Sequence, residues 1–175
     1  WDYIYSKSSA PINADMSDYD MLQSSIGQGK ILITPLHLNM ITCSIANNGI
    51  LMEPYLVDRV EDANGKIIKN YKPVEYGTLM TEAESEVLRK LMAEVVNSGT
   101  GTRMKGYGYT AGGKTGSAEY NSNKEDSHAW FTGFAPVENP QIAVTVIIEG
   151  AGAGGDYAVP MARRVFDAYF KQIQN

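Results

Sequence analysis

Residues 112–118 read Gly-Gly-Lys-Thr-Gly-Ser-Ala, and their types and spacing fit two unrelated chemistries. Read from Gly108, they complete a phosphate-binding loop, in which a glycine and four residues precede Gly-Lys-Thr. Read from Lys114, they fit one wall of an acyl-transfer site, with a cation, two hydroxyls and flanking glycines on an extended strand. The two interpretations require different neighbouring elements, so the flanking sequence decides between them.

The phosphate-loop interpretation fails on its context, because it requires a hydrophobic strand before the loop and a helix after it. Residues 103–109 are rich in Gly and Tyr and do not form a buried strand pattern, and residues 116–123 have no apolar stripe. A second glycine pattern, G-x-G-x-x-G, lies at residues 150–155. It lacks the later parallel strand with an acidic residue that a dinucleotide site needs. The sequence therefore argues against a nucleotide site at either position.

In the acyl-transfer interpretation each residue type has a purpose. The three glycines remove side chains where a substrate would lie alongside the strand. Lys114 supplies a positive charge that holds a carboxylate and biases nearby proton transfers. Thr115 and Ser117 offer hydroxyls to the same carboxylate, and a backbone N–H just after the triplet can donate to a developing oxyanion. The triplet alone is equally compatible with a solvated lysine in a glycine-rich hairpin.

Two helices are predicted from their caps and periodicity. The first follows an N-cap at Thr34 and ends before Gly49, and the second follows Thr81, with Glu84 closing a capping box. The predicted apolar stripes are Leu36, Met40, Ile41 and Ile45 on the first helix and Val87, Leu88, Leu91, Met92, Val95 and Val96 on the second.

The remaining pattern predicts strands and a closing helix. Asn64-Gly65 is a tight-turn signal between runs at 55–60 and 66–71, which predicts a hairpin. Three later strand-like runs lie at 114–120, 129–134 and 142–149. A closing helix is expected over 158–170, with the stripe Met161, Val165, Phe166, Tyr169 and Phe170. Short connections favour antiparallel pairing, so the predicted fold is α+β, an antiparallel β-sheet with flanking helices. One domain is expected, with residues 1–30 as a mostly irregular lead-in and 31–175 as the structured part.

Bulk composition excludes several functional classes. The net charge of −5, without clustered Lys and Arg, argues against a nucleic-acid partner. The apolar run at 142–148 is far too short to span a membrane, so no membrane segment is expected in this chain. Cys43 is the single cysteine and is expected to be a buried, inert thiol. His37 has no acidic or histidine partner at ligand spacing, so no metal site is predicted. No cofactor is predicted either, and His128 is expected to be structural or to line the rim of the site.

Six stretches, spread over about residues 23–170, occur together in one order. They are residues 27–36 (Gly-Gln-Gly-Lys-Ile-Leu-Ile-Thr-Pro-Leu), 46–51 (Ala-Asn-Asn-Gly-Ile-Leu), 53–55 (Glu-Pro-Tyr), 99–101 (Gly-Thr-Gly), 112–118 and 128–136 (His-Ala-Trp-Phe-Thr-Gly-Phe-Ala-Pro). In this order they resemble the transpeptidase domain of class B penicillin-binding proteins, the enzymes that cross-link peptidoglycan. The resemblance implies a partial penicillin-binding/β-lactamase-like transpeptidase fold.

The resemblance also assigns roles to the residues of the triplet. Lys114 would lie near the serine of the family's Ser-x-Asn element. Thr115 and Ser117, with Gly116 between them, would bind the carboxylate of a stem peptide or a β-lactam. The backbone N–H of Ser117 would form half of the oxyanion hole.

Two elements of the family are missing from the sequence. No serine has Lys three residues later or Asn two residues later, whereas the family carries both Ser-x-x-Lys and Ser-x-Asn. In the family both lie before the segment that matches residues 27–29. The chain is therefore expected to be the C-terminal portion of one transpeptidase domain. It should be inactive alone and prone to self-association through an exposed sheet edge.

For the intact protein, the resemblance implies a serine acyl-enzyme formed on a stem peptide that ends in D-Ala-D-Ala. The implied partners are that peptide, β-lactams, the missing N-terminal half of the domain, and division or elongation proteins. The implied location is the extracytoplasmic face of the bacterial cell membrane, with the anchor outside this chain. A non-catalytic binding or scaffold domain, or a β-lactam sensor with the same fold, remains the alternative.

Overall fold

The computed structural model describes residues 7–105, 108–120 and 127–173. Within these ranges the elements are, in order, α1 (Asp18–Ser25), α2 (Pro35–Ala46), β1 (Ile50–Met52), β2 (Arg59–Glu61), β3 (Ile67–Asn70), β4 (Glu75–Thr78), α3 (Glu82–Asn97), a 3₁₀ turn (Thr102–Met104), β5 (Gly112–Glu119), β6 (Ser127–Ala135), β7 (Ile142–Ile148) and α4 (Gly154–Ile173). The predicted α+β class is confirmed.

An antiparallel sheet of order β5-β6-β7 forms the centre of the molecule. Thr115 lies opposite Phe131, and Lys114 lies opposite Thr132. Because successive side chains in a strand point to opposite faces, Thr115 and Ser117 share one face and Lys114 lies on the other. The predicted pairing of three antiparallel strands is confirmed.

The face that carries Thr115 packs against α4. The core cluster there contains Val96, Met104, Ala111, Ala129, Phe131, Ala135, Ala158, Val159, Ala162 and Phe166. The predicted stripe of this helix is wrong in part, because Met161 and Val165 are each 44% exposed. Alanines at 158 and 162 face the sheet instead, since small side chains let the helix approach β6 closely.

The opposite face packs against α2 through hydroxyl groups. Thr42 Oγ1 lies 2.6 Å from Thr132 Oγ1, which lies 2.7 Å from Thr145 Oγ1. The predicted apolar stripe of α2 is wrong at Leu36, which is 59% exposed, while Thr42 and Ser44 are buried. Hydroxyls can occupy a buried helix face because each has a hydrogen-bond partner: Thr42 pairs with Thr132, and Ser44 donates to the backbone oxygen of Ile41.

The remaining elements surround this core. α3 begins with the predicted capping box between Thr81 and Glu84, and β2 and β3 form the predicted hairpin. Pairing of β1 with β4 and the short helix α1 were not predicted. Val87 and Leu91 of the predicted α3 stripe are exposed. Across the described ranges, no helix is long and apolar enough to cross a membrane.

Candidate active site

The predicted site residues lie along β5, an edge strand of the central sheet. Thr115 is buried, Gly116 is half-buried, and Lys114 and Ser117 are exposed. Among the described residues β5 pairs with β6 alone, so its other side is called the free edge. Because Lys114 projects to one face and Thr115 and Ser117 to the other, this edge is where their groups can meet one ligand.

The lysine side chain bends around that edge. Lys114 Nζ donates a hydrogen bond to the backbone oxygen of Thr115, at 2.7 Å. The ammonium therefore lies beside the unpaired backbone of β5, where a ligand on the edge would contact it.

The threonine hydroxyl is fixed by a second threonine. Thr115 Oγ1 lies 2.5 Å from Thr100 Oγ1, and either atom can be the donor. A Cβ on Gly155 would come within 2.6 Å of the Thr100 backbone oxygen, so α4 begins directly against the Gly-Thr-Gly turn. When Thr100 donates, the Thr115 hydrogen is free to donate to a carboxylate.

Ser117 is held by the start of α4. Its Oγ accepts from the backbone N–H of Gly154 at 3.4 Å. A Cβ on Gly154 would lie 2.3 Å from Trp130 O and 2.5 Å from Gly116 O, so only glycine allows this approach. Since the contact of the Ser117 hydroxyl is a backbone donor and not a general base, the geometry suits ligand binding better than nucleophilic attack.

These groups line a cavity of about 450 Å³. Its lining comprises Thr100, Thr102, Arg103, Thr115, Gly116, Ser117, Ala153, Gly154, Gly155 and Asp156. An ion pair at 2.8 Å joins Arg103 to Asp156, and both side chains are more than half exposed. Hydroxyl donors, a guanidinium and the positive end of a helix together favour the binding of a ligand's carboxylate in this cavity.

A second groove, of about 620 Å³, lies beyond Ser117 and is called the Gln28 groove below. It lies between the 27–33 loop and the ends of β5 and β6. Gln28 Nε2 donates to the backbone oxygen of Ser117 at 3.2 Å. His128 stacks on Tyr120 with ring centroids 4.3 Å apart, and its Nδ1 accepts from the backbone N–H of Gly150.

Two glycines of residues 112–118 were predicted to leave room for a substrate, and the structure gives them a different purpose. A Cβ on Gly112 would come within 2.9 Å of the Phe134 ring, and one on Gly113 within 2.4 Å of the Phe131 ring. Both positions are buried. Packing against β6, rather than substrate approach, therefore requires glycine at these two positions.

Sequence reasoning missed Thr100, Arg103 and the start of α4 as parts of the site. The Gly-Thr-Gly triplet at 99–101 is the sequence signal for the first of these. Cys43 is half-buried, not fully buried, and burial raises the pKa of its thiol. Among the described residues, no group of three or more His, Cys, Asp or Glu side chains is placed to hold a metal ion.

The fold agrees with comparisons to known proteins. The family model of the penicillin-binding protein transpeptidase domain matches residues 3–167. The chain therefore belongs to the penicillin-binding protein transpeptidase family.

Individual relatives and solved structures are consistent with this assignment. The chain is 36% identical to peptidoglycan D,D-transpeptidase MrdA of Haemophilus influenzae, over 87% of this chain and 26% of that protein. It superposes with a TM-score of 0.84 and 30% identity on penicillin-binding protein A of M. tuberculosis as an imipenem acyl-enzyme, covering 94% of this chain and 37% of the other. The D,D-transpeptidase domain from Eggerthella lenta gives a TM-score of 0.72 at 33% identity, and the match covers 82% of this chain and 33% of the other. The chain spans about a quarter to a third of the length of the curated relatives it matches.

Proposed function

We propose that residues 1–175 are the C-terminal portion of one transpeptidase domain, in a peptidoglycan D,D-transpeptidase whose nucleophilic serine lies elsewhere in the whole protein. The observation that carries this proposal is a carboxylate-type pocket on β5 in a sequence that contains no Ser-x-x-Lys. The relatives, of which this chain spans 26% and 32%, are named peptidoglycan D,D-transpeptidases. Alone, this portion catalyses no acyl transfer, because its sequence contains no Ser-x-x-Lys.

In the whole protein, the serine oxygen attacks the carbonyl of the D-Ala-D-Ala peptide bond and D-Ala leaves with a proton on its nitrogen. An amine of a neighbouring stem peptide then displaces the serine from the acyl-enzyme. The terminal carboxylate of the peptide lies against the hydroxyls of Thr115 and Ser117. Gly116 keeps the strand open between them, and Lys114 supplies positive charge at the edge. The Ser117 N–H donates to the oxyanion.

The same geometry accepts β-lactams, since these carry a carboxylate beside a reactive carbonyl. The imipenem acyl-enzyme of the M. tuberculosis protein supports this extension. The edge of β7 that is unpaired among the described residues, and the exposed apolar side chains of α3, are surfaces for the rest of the domain. Peptidoglycan as substrate places the site on the extracytoplasmic face of the bacterial membrane, where division or elongation proteins are the expected partners.

The test is acylation of the whole protein by a labelled penicillin, with a Lys114→Ala variant. We expect the variant to be acylated more slowly by about tenfold or more, because the edge loses its positive charge. Lys66→Ala, in the turn of the β2–β3 hairpin, is the matched control and retains the wild-type rate. Equal rates for all three proteins would remove the role given to Lys114. A wild-type protein that forms no adduct would favour a non-catalytic binding domain.

A further inference from the structure

The free edge of β5 has backbone carbonyls that point away from the sheet. Lys114 Nζ reaches the oxygen of Thr115, and Gln28 Nε2 reaches the oxygen of Ser117. Residues two apart in a strand direct their carbonyls to the same side. Both donors therefore lie on the side of β5 opposite β6, and that side is the edge available to a ligand.

An unpaired strand edge binds an extended peptide through main-chain hydrogen bonds. On this edge, the Ser117 oxygen can accept a hydrogen bond from a ligand's amide N–H. Gln28 presents the same chemical group, a primary amide N–H, to the same oxygen at 3.2 Å. Its side chain therefore occupies one lone pair of the carbonyl oxygen that the ligand's amide would use.

The backbone around Gln28 is held while its side chain can rotate. The flanking residues Gly27 and Gly29 have φ values of +76° and +72°, a conformation that favours glycine. The Gln28 N–H donates to the backbone oxygen of Gln23 at 2.9 Å. The amide can therefore leave Ser117 by side-chain rotation into the Gln28 groove, with the loop unchanged.

We propose that Gln28 is a specificity-determining residue, which occupies the Ser117 carbonyl in the free protein and yields it to a ligand that brings its own amide N–H. This inference rests on the proposed function of the β5 edge. The exchange replaces one amide-to-carbonyl hydrogen bond by another, so Gln28 reduces the advantage in affinity that an amide beside the reactive carbonyl would otherwise give a ligand. A ligand without that amide leaves Gln28 in place and gains nothing from its removal.

The test measures β-lactam acylation of the whole protein, separating the apparent dissociation constant from the acylation rate constant. Penicillin G carries an acylamino N–H beside its ring, and penicillanic acid sulfone does not. In Gln28→Ala, the apparent dissociation constant for penicillin G should fall by about threefold, the effect of one neutral hydrogen bond. The acylation rate constant and both constants for the sulfone should stay unchanged.

Two further variants keep the result interpretable. Gln28→Met preserves the length of the side chain but removes the donor without adding a charge, so it should also tighten penicillin G binding. Gln23→Ala removes another amide from the Gln28 groove without touching Ser117, and it should behave as wild type.

The possible failures are distinguishable. A wild-type protein that neither ligand acylates overturns the proposed function and this inference with it. Normal wild-type acylation, with penicillin G binding unchanged or weakened in both Gln28 variants, overturns the inference alone. An equal gain for both ligands also overturns it, because competition for an amide acceptor cannot help a ligand that lacks the amide.

Discussion

At the scale of single residues, the site depends on contacts between positions far apart in the chain. Thr115 meets Thr100, and Ser117 meets both Gly154 and Gln28. These contacts orient two hydroxyls and one carbonyl around the free edge of β5. The chemistry of the Lys-Thr-Gly triplet therefore depends on residues outside the triplet.

Replacement of Gly154 by alanine tests the contact between α4 and β5. The added Cβ would come within 2.3 Å of Trp130 O, so the helix start must shift. We expect a loss of about 1–3 kcal/mol in the free energy of unfolding, the typical effect of overpacking. Urea unfolding of the chain, followed by circular dichroism, measures it.

Gly77→Ala is the matched control, because its Cβ would meet nothing within 4 Å. This variant should be as stable as wild type or slightly more stable, since alanine narrows the unfolded ensemble. Equal stability of the two variants would contradict the close approach of α4 to β5.

Residue types and spacing were enough to predict Lys114, Thr115 and Ser117 as the groups on β5. They were not enough to predict Arg103 or Gln28, because a partner 53 or 89 positions away leaves no local pattern. The glycines at 112 and 113 were predicted for the wrong reason. Only the structure reveals the phenylalanine rings that fill the space beside them.

At the scale of elements, local signals predicted the ends of helices better than their faces. The caps at Thr34 and Thr81 form as predicted, since a cap involves neighbouring residues only. The buried faces of α2 and α4 depend on the sheet surface against which each helix packs. The buried residues there are hydroxyl residues at 42 and 44 and alanines at 158 and 162. A search for periodic large apolar residues does not find buried faces made of hydroxyl residues or alanines.

The cap of α3 carries a pH dependence. The backbone N–H and hydroxyl of Thr81 donate to Glu84 and hold the pKa of that carboxyl below its ordinary value of 4.5. A lowered folded-state pKa gives stability that is present above the unfolded value and is lost as pH falls through the folded value. Glu84→Gln should therefore be less stable than wild type at neutral pH, and the difference should shrink at about pH 3.

Urea unfolding of both proteins at the two pH values measures this difference. Glu82→Gln, in the same helical turn but outside the capping box, is the control and should not show the same convergence. A stability difference for Glu84→Gln that is constant with pH would exclude the charged cap.

At the scale of the whole molecule, the outer edge of β7 is unpaired among the described residues, and its side chains are half-buried. Such an edge pairs readily with another strand. We expect the isolated chain to self-associate through β7, and Ile147→Lys to reduce this association by placing a charge on the edge. Ile147 lies outside the α4 core cluster, on the face of the sheet that packs against α2, so circular dichroism of the variant is needed to check that the fold persists.

Sedimentation velocity at several concentrations measures the association. Leu56→Lys, at a fully exposed position on the connection between β1 and β2, is the control for a general gain in solubility. A monomeric wild-type chain, or an equal effect of the two substitutions, would contradict the role of the β7 edge.

The central claim is that β5 forms one wall of an acyl-transfer site whose attacking serine lies outside residues 1–175. Intact-mass spectrometry after exposure to penicillin G, on this chain and on the whole protein, tests it most directly. The account predicts one covalent penicilloyl adduct on the whole protein, mapped to a serine outside these residues, and none on the chain. An adduct on the chain itself, or none on the whole protein, would contradict it.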